Sequence, residues 1–501
     1  MSRPLLTSLA DSVALIRAAA TTASLVAMLM LAGLPAGAGG RSITPAASSN
    51  AIASTTAVAR PLETAVWDIG DELSPSRIAA AGTRAAHLRL DWSAVAPATR
   101  PAGFDPADPD DPAYRWTSFD RWLTQVTSVG LQPLVAVQRA PSWAQGPGQG
   151  PPGTVRPDAR QVGAFARAAA LRYSGSFQGL PRVRNWQLWL EQNLHFHLNP
   201  QFESSRLISP IWYRSMLNAF ADAVHAVHRD NVVITGGLAP FTTPTGVGPL
   251  PFMRVMLCIS KKLKPTCRSR SRFDVWAHHP YTSGGPNHHA NLHEDVSLGD
   301  LPQMRRLLDA AVRAGHVESG QAVRFWVTEF GWDTSPPDPK GVPSRLHARW
   351  VAEALYRMWS VGISLVTWNQ LRDQPFPGSP FQSGLYFRGR TIKRDRPKPA
   401  LRAFRFPFVA LPEKGRVVTW GRTPNSTGAR VVLERSFGRG WGRLAALQAD
   451  RHGIFKRTWK MHPGGYMRAR LPTGELSLPF AVKKTRDRRV CVFGTLPNCS
   501  A

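Results

Sequence analysis

The chain has 501 residues, of which 43% are hydrophobic and 19% charged, with 17 Trp and 22 Phe. That is too apolar and too aromatic for a disordered or fibrous protein, and long enough for a large barrel plus an accessory domain. The 62 Lys and Arg against 33 Asp and Glu leave a net charge of +29, a field that favours anionic partners and says nothing about fold.

Residues 1–38 read as an export signal. Arg3 and Arg17 precede the apolar Ala18–Leu34, followed by Pro35 and the small-residue cleavage site Ala36-Gly37-Ala38. A retained membrane anchor is the alternative, since Ala18–Ala38 approaches the ~20 residues of a span. Its Ala, Thr and Gly content makes a poor one, and no later segment is long and apolar enough to cross a bilayer. Residues 39–60, rich in Ala, Ser, Thr and Gly, read as a flexible spacer.

From Ala65 short apolar runs alternate with amphipathic ones. The strands expected are Ala65–Ile69, Ala86–Leu90, Gln132–Val137, Val183–Trp189, Val232–Gly236, Phe273–Ala277, Arg324–Thr328 and Ile363–Trp368. Between them come helical stretches, such as Ser118–Val129 with Phe119, Trp122, Leu123 and Val126 at helical spacing. Eight strand–helix alternations imply parallel pairing and a (β/α)8 TIM barrel over residues 61–408. A doubly wound sheet lacks support, because no glycine-rich loop follows the first strand. Beyond Val409 the runs Val417–Trp420, Ala429–Leu433, Leu444–Leu447, Met467–Leu471 and Ser477–Val482 are separated by turns, so residues 409–501 read as a small C-terminal all-β, sandwich-like domain.

The cysteines are Cys258, Cys267, Cys491 and Cys499. Two local pairs fit an oxidising exterior, although four cysteines allow three connectivities. With no C-x-x-C, neither a zinc ribbon nor a thioredoxin-like site is expected. His288, His289 and His293 read as a solvated loop, and Asn425-Ser426-Thr427 matches a glycosylation triplet. No cofactor or metal motif is present.

Two segments carry chemistry. Asn185-Trp186-Gln187-Leu188-Trp189-Leu190-Glu191-Gln192-Asn193 places a carboxylate just after the fourth strand. Arg324-Phe325-Trp326-Val327-Thr328-Glu329-Phe330-Gly331-Trp332 does the same after the seventh. Both fall at the rim where barrel enzymes place their chemistry. Two glutamates converging there can flank a glycosidic bond, one protonating the leaving oxygen and one attacking the anomeric carbon.

On these residues the chain resembles the glycoside hydrolase clan whose catalytic glutamates end strands four and seven, most closely the secreted bacterial family 39-type enzymes. Their Trp-Asn-Glu-Pro-Asn is matched by Trp189-Leu190-Glu191-Gln192-Asn193, and their Thr-Glu-Phe/Tyr-Gly-Trp by Thr328-Glu329-Phe330-Gly331-Trp332. Phe273–Tyr281 and Ala140-Pro141-Ser142-Trp143-Ala144 extend the likeness. The resemblance implies Glu191 as general acid/base and Glu329 as nucleophile of a retaining enzyme, with carboxyl groups about 5–5.5 Å apart. Glu191 would then need a raised pKa. Asn193, His278, His279 and Tyr281 are expected in the cleft, with Tyr281 bonded to Glu329, and Trp143, Trp332 and Trp368 on sugar faces. One position departs: the Asn that bonds the sugar 2-hydroxyl is Leu190 here, which opens the alternative of a carbohydrate-binding pseudoenzyme.

The basic residues cluster. Lys261–Arg272 holds six cations and no acid, and Val409–Ala501 holds 18 Lys and Arg against 5 Asp and Glu. The commoner reading of such clusters is a solvated cationic surface; the sharper one adds an anionic cell-wall polymer as a partner beside the carbohydrate substrate. No specific nucleic-acid partner is expected, and the chain is read as a secreted monomer, free or held at the cell surface.

Overall fold

The computed structural model describes residues 60–68, 70–424 and 427–490. The signal, all of the spacer except Arg60, the Cys491–Cys499 pair and Asn425-Ser426 of the glycosylation triplet lie outside the described residues. From Arg60 onward the chain packs as one compact unit.

Eight parallel strands close into a barrel in sequence order: β1 (Glu63–Trp67), β2 (Ala85–Asp91), β3 (Gln132–Gln138), β4 (Asn185–Leu188), β5 (Val232–Ile234), β6 (Val275–His278), β7 (Arg324–Phe330) and β8 (Ile363–Trp368), which returns to β1. The helices between and after them are α1 (Ser74–Ala80), α2 (Thr117–Ser128), α3 (Ala159–Arg172), α4 (Ser209–Val227), α5 (Pro249–Leu257), α6 (Leu301–Arg313), α7 (Ser344–Ser360) and α8 (Pro399–Arg405). The strand period of two divides the apolar residues into two cores. Ala65, Leu134, Ile234, Ala277, Trp326 and Leu365 fill the barrel interior as a separate cluster. Their strand neighbours Val66, Val135, Val233, Trp276, Val327 and Val366 point outward and pack with the helices. In α4 the row Leu217, Phe220, Ala221 and Val224 is buried, as its spacing requires. Asp158 caps α3 by accepting from the Arg160 and Gln161 amides.

After the barrel come two antiparallel sheets. One holds β9 (Phe408–Glu413), β10 (Arg416–Arg422) and β13 (Ile454–Trp459); the other holds β11 (Arg430–Ser436), β12 (Gly442–Gln448), β14 (Tyr466–Arg470) and β15 (Phe480–Ala481). The fold is thus a TIM barrel with a C-terminal β domain. Two of these strands, β9 and β13, escape the sequence reading. Lys456 and Arg457 make β13 look like surface loop, whereas both are exposed residues of an edge strand. Arg422, fully buried, donates to the Leu62 and Phe404 carbonyls and to Thr64, tying β10 to β1. Burial pushes its guanidinium down to about 10.

The last described residues turn back onto the barrel. Arg349 in α7 donates to the Ala481 and Lys483 carbonyls. Asp487 accepts from Gly285 N at 2.7 Å and pairs with His288, and Val490 N donates to Ser283 O at 2.9 Å. These contacts hold the loop that follows Tyr281. Cys258 and Cys267 form a disulfide at the end of α5, which settles one of the connectivities. Among the described residues no helix is long and apolar enough to cross a membrane.

Candidate active site

The fourth strand ends in a tight reversal that aims Glu191. Trp189 and Glu191 both adopt left-handed backbone, with φ of 68° and 42°. Each costs about 1–3 kcal/mol in a non-glycine residue, so the surroundings must hold them. They do: Trp189 N donates to Val137 O at 2.7 Å, its indole Nε1 to His197 O at 2.7 Å, and Glu191 N to Gly237 O at 2.8 Å. Gly237 must be glycine, because a Cβ there would lie 2.1 Å from His279 Nε2 and 2.7 Å from Thr328 Oγ1.

His279, at the end of β6, bridges the two glutamate segments. Its Nδ1 is 3.0 Å from Glu191 Oε1 and its Nε2 is 3.1 Å from Thr328 Oγ1, the neighbour of Glu329. Glu329 is held by two donors on one oxygen. Tyr281 Oη donates to its Oε1 at 2.7 Å and Asn369 Nδ2 at 3.0 Å; Asn369 also donates to Tyr281 at 2.9 Å. Arg89, at the end of β2, lies within electrostatic reach of Glu329.

The electrostatics reverse one expectation. Burial pushes the Glu329 carboxyl up, the charge of Glu191 adds to this, and His279, Tyr281 and Asn369 only partly offset it; the net direction is upward. Burial also pushes Glu191 up, but its hydrogen bond with His279 and the surrounding histidines outweigh that and leave it below the usual range. The raised pKa expected at Glu191 thus belongs to Glu329. His197, with Nε2 3.6 Å from Glu191 Oε2, is pushed down to about 4 by burial.

The other expected residues divide. Asn193 is fully buried and does not face the cleft: it donates to the Ala239 and Val247 carbonyls and accepts from Ala239 N, joining two rim loops. His278 is buried behind the site, its Nε2 2.8 Å from Val296 O. Trp332 donates to Gly284 O at 3.0 Å and packs against Phe330 and Trp350, while Trp368 donates to Ser383 O at 2.8 Å and packs against Phe330 and Phe404. Both indoles are core, with no face left for a sugar. Trp143 is half-exposed, its Nε1 bonded to Pro97 O at 2.8 Å. Of the histidine loop, His288 pairs with Asp487 and His289 with Asp300. Among the described residues no group of three or more His, Cys, Asp or Glu converges on a metal position. Sequence reasoning misses Arg89, Gly237 and Asn369. Their shared signal is position, since each lies at or just beyond the carboxyl end of a barrel strand.

Fold and site together define a (β/α)8 barrel with two half-buried carboxylates at its mouth. No protein-family model and no curated protein matches the sequence. Among solved structures the chain is similar to a family 39 glycoside hydrolase from the gut symbiont Bacteroides cellulosilyticus WH2, at 16% identity over 79% of this chain and 81% of that one, with a TM-score of 0.49. It is similar also to a glucosidase from Croceicoccus marinus, at 13% identity over 80% and 93% of the two chains and a TM-score of 0.44. A family 30 endoxylanase from Clostridium papyrosolvens C71 aligns at 10% identity over 80% and 93%, with a TM-score of 0.43.

Proposed function

We propose that the protein is a secreted glycoside hydrolase that cleaves a poly- or oligosaccharide with retention of configuration. The observation that carries this is the pair Glu191 and Glu329 at the ends of β4 and β7, joined through His279. Tyr281 and Asn369 both bond Oε1 of Glu329, which fixes the carboxylate's rotation and makes Oε2 the attacking oxygen. In the first step Oε2 forms the bond to the anomeric carbon while Glu191 gives its proton to the departing oxygen. In the second, Glu191 takes a proton from water, which attacks the same carbon and releases Glu329.

His279 fits that cycle. When its Nδ1–H donates, Glu191 is a carboxylate; when Nδ1 accepts, Glu191 is the acid and the Nε2–H points to Thr328 Oγ1. Gln187 Nε2 donates to that same hydroxyl at 3.4 Å, so Thr328 keeps its own proton free to turn. The two protons of the pair titrate as a unit. With Glu329 raised and Glu191 lowered, the reacting form, charge on Glu329 and proton on Glu191, is the minor arrangement of the singly protonated pair.

Glu329→Gln is the test. It is expected to abolish turnover of 4-nitrophenyl glycosides without changing the fold, and with the wild-type chain proton NMR of the first product should show the starting anomer. Full turnover by this variant would sink the reading. Leu190 favours a second reading, a binding protein without turnover; it predicts glycan binding by the wild-type chain with no product from any glycoside.

A further inference from the structure

We propose that the groove outside β3 and β4 is a saccharide subsite remote from the cleaved bond, so that the substrate is a chain of several neutral sugar rings. This rests on the glycosidase reading and extends it to substrate length and charge. The groove is a cavity of about 500 Å³ bordered by Trp143, Gln145, Arg156, Asp158, Gln161 and Trp212. That is within the range of small-ligand sites.

Its walls are built and held. The Trp143 indole is tied to Pro97 O at 2.8 Å and the Trp212 indole to Pro157 O at 2.9 Å, so both rings are fixed by their N–H groups. Arg100 lies over the Trp143 ring at 5.5 Å, as Arg156 does over Trp212. Each fixed, half-exposed indole thus offers the apolar surface its arginine leaves open, which suits the C–H face of a sugar ring. Gln161 Oε1 is buried with no hydrogen-bond partner among the described residues, an acceptor that a sugar hydroxyl would satisfy. Arg156 lies over the Trp212 ring at 5.2 Å and is paired with Glu203 at 2.5 Å. Its charge is thereby balanced, which favours a neutral ring over an acidic one.

Position links the groove to the glutamates. Trp143 and Arg156 stand on the loop after β3, and Trp212 in the first turn of the helix after β4. All three therefore open on the barrel face that carries Glu191 and Glu329. The wall is also wired to the catalytic turn: Arg156 N donates to Asn199 O at 2.8 Å, and Gln201 Nε2 donates at 2.9 Å to the carbonyl of Gln192, the residue after Glu191.

The test is calorimetric titration of the full chain carrying Glu329→Gln with cello-, xylo-, manno- and laminari-hexaose. At least one hexaose should bind, and adding Trp212→Ala should weaken it about tenfold or more, with Trp212→Phe recovering most of the loss. A thermal melt checks that each variant is folded. Unchanged affinity in Trp212→Ala, or no hexaose bound, overturns the subsite. Failure of the catalytic reading shows separately: a wild-type chain that cleaves no aryl glycoside yet binds hexaose through Trp212 loses the hydrolysis and keeps the groove.

Discussion

Tyr281 and Glu329 meet across β6 and β7 in a 2.7 Å hydrogen bond, the phenol donating to Oε1. Burial and the Glu329 charge push the phenol's own pKa well up, so it remains a donor throughout the working pH range. A carboxylate that keeps this donor is easier to ionise than one that loses it.

Tyr281→Phe therefore raises the Glu329 carboxyl further. The reacting form keeps its proton on Glu191, which ionises before Glu329, so the acid limb follows Glu191 and the alkaline limb follows Glu329. The alkaline limb of kcat/KM is expected to move to higher pH, with a loss at the optimum of about 1.5–3 kcal/mol of transition-state binding, the usual worth of a hydrogen bond to a charged group. A pH profile against wild type is the measurement. An alkaline limb that stays in place would show that another group sets it.

Glu191→Gln takes away one titration of the pair and with it the alkaline limb, leaving Glu329 alone to set the acid limb. It removes the like charge that helps hold Glu329 up, so Glu329 ionises at lower pH. Turnover should fall by about 10²–10⁴, the ordinary worth of general acid–base assistance. The loss should be smaller for 4-nitrophenyl leaving groups than for a sugar, because a good leaving group needs less protonation. Equal losses on both substrates would remove Glu191 from the acid's role.

Gly237→Ala places a methyl 2.1 Å from His279 Nε2. His279 must move, and its bridge between Glu191 and Thr328 opens. Overpacking of this kind costs about 1–3 kcal/mol of stability, visible in denaturant melts. Activity should fall more than the melt implies, and a variant with wild-type turnover would show that the bridge is dispensable.

Lys398→Met tests the core behind β8. Lys398 Nζ is buried and donates to Asp373 at 2.6 Å, to Thr334 at 2.7 Å and to the Gln382 carbonyl at 2.9 Å. Without it Asp373, already pushed up to about 6 by burial, is left as an unpaired buried acid. Removing one partner of such a pair costs about 3–5 kcal/mol. Chemical denaturation reads the loss, and less than 1 kcal/mol would mean that water reaches Asp373.

How much of this the sequence discloses depends on the kind of signal. The barrel is legible because its strands and helices impose different periods, and all eight alternations appear in the ring. The glutamates are legible because a carboxylate directly after an apolar strand is unusual. Trp332 and Trp368 mislead for the same reason: they also follow or end strands, yet their N–H groups are spent on backbone carbonyls inside the core. Asn193 sits in the most suggestive motif of the chain and serves as a loop tie. A one-dimensional pattern places a residue at the rim without saying which way its side chain turns. The pKa order is further out of reach, because it depends on His279 reaching across from another strand.

The contacts of Asp487 and Val490 with the loop after Tyr281 set a timetable for the molecule. A chain emerging in order from its amino end presents both glutamates and Tyr281 long before the segment that buttresses the Tyr281 loop has been made. Residues 487–490 join the rim only after both glutamates and Tyr281 have been made, so the site is completed late in synthesis. Loss of residues 487–490 would be felt first at the tyrosine that steadies Glu329, far along the sequence from the cut.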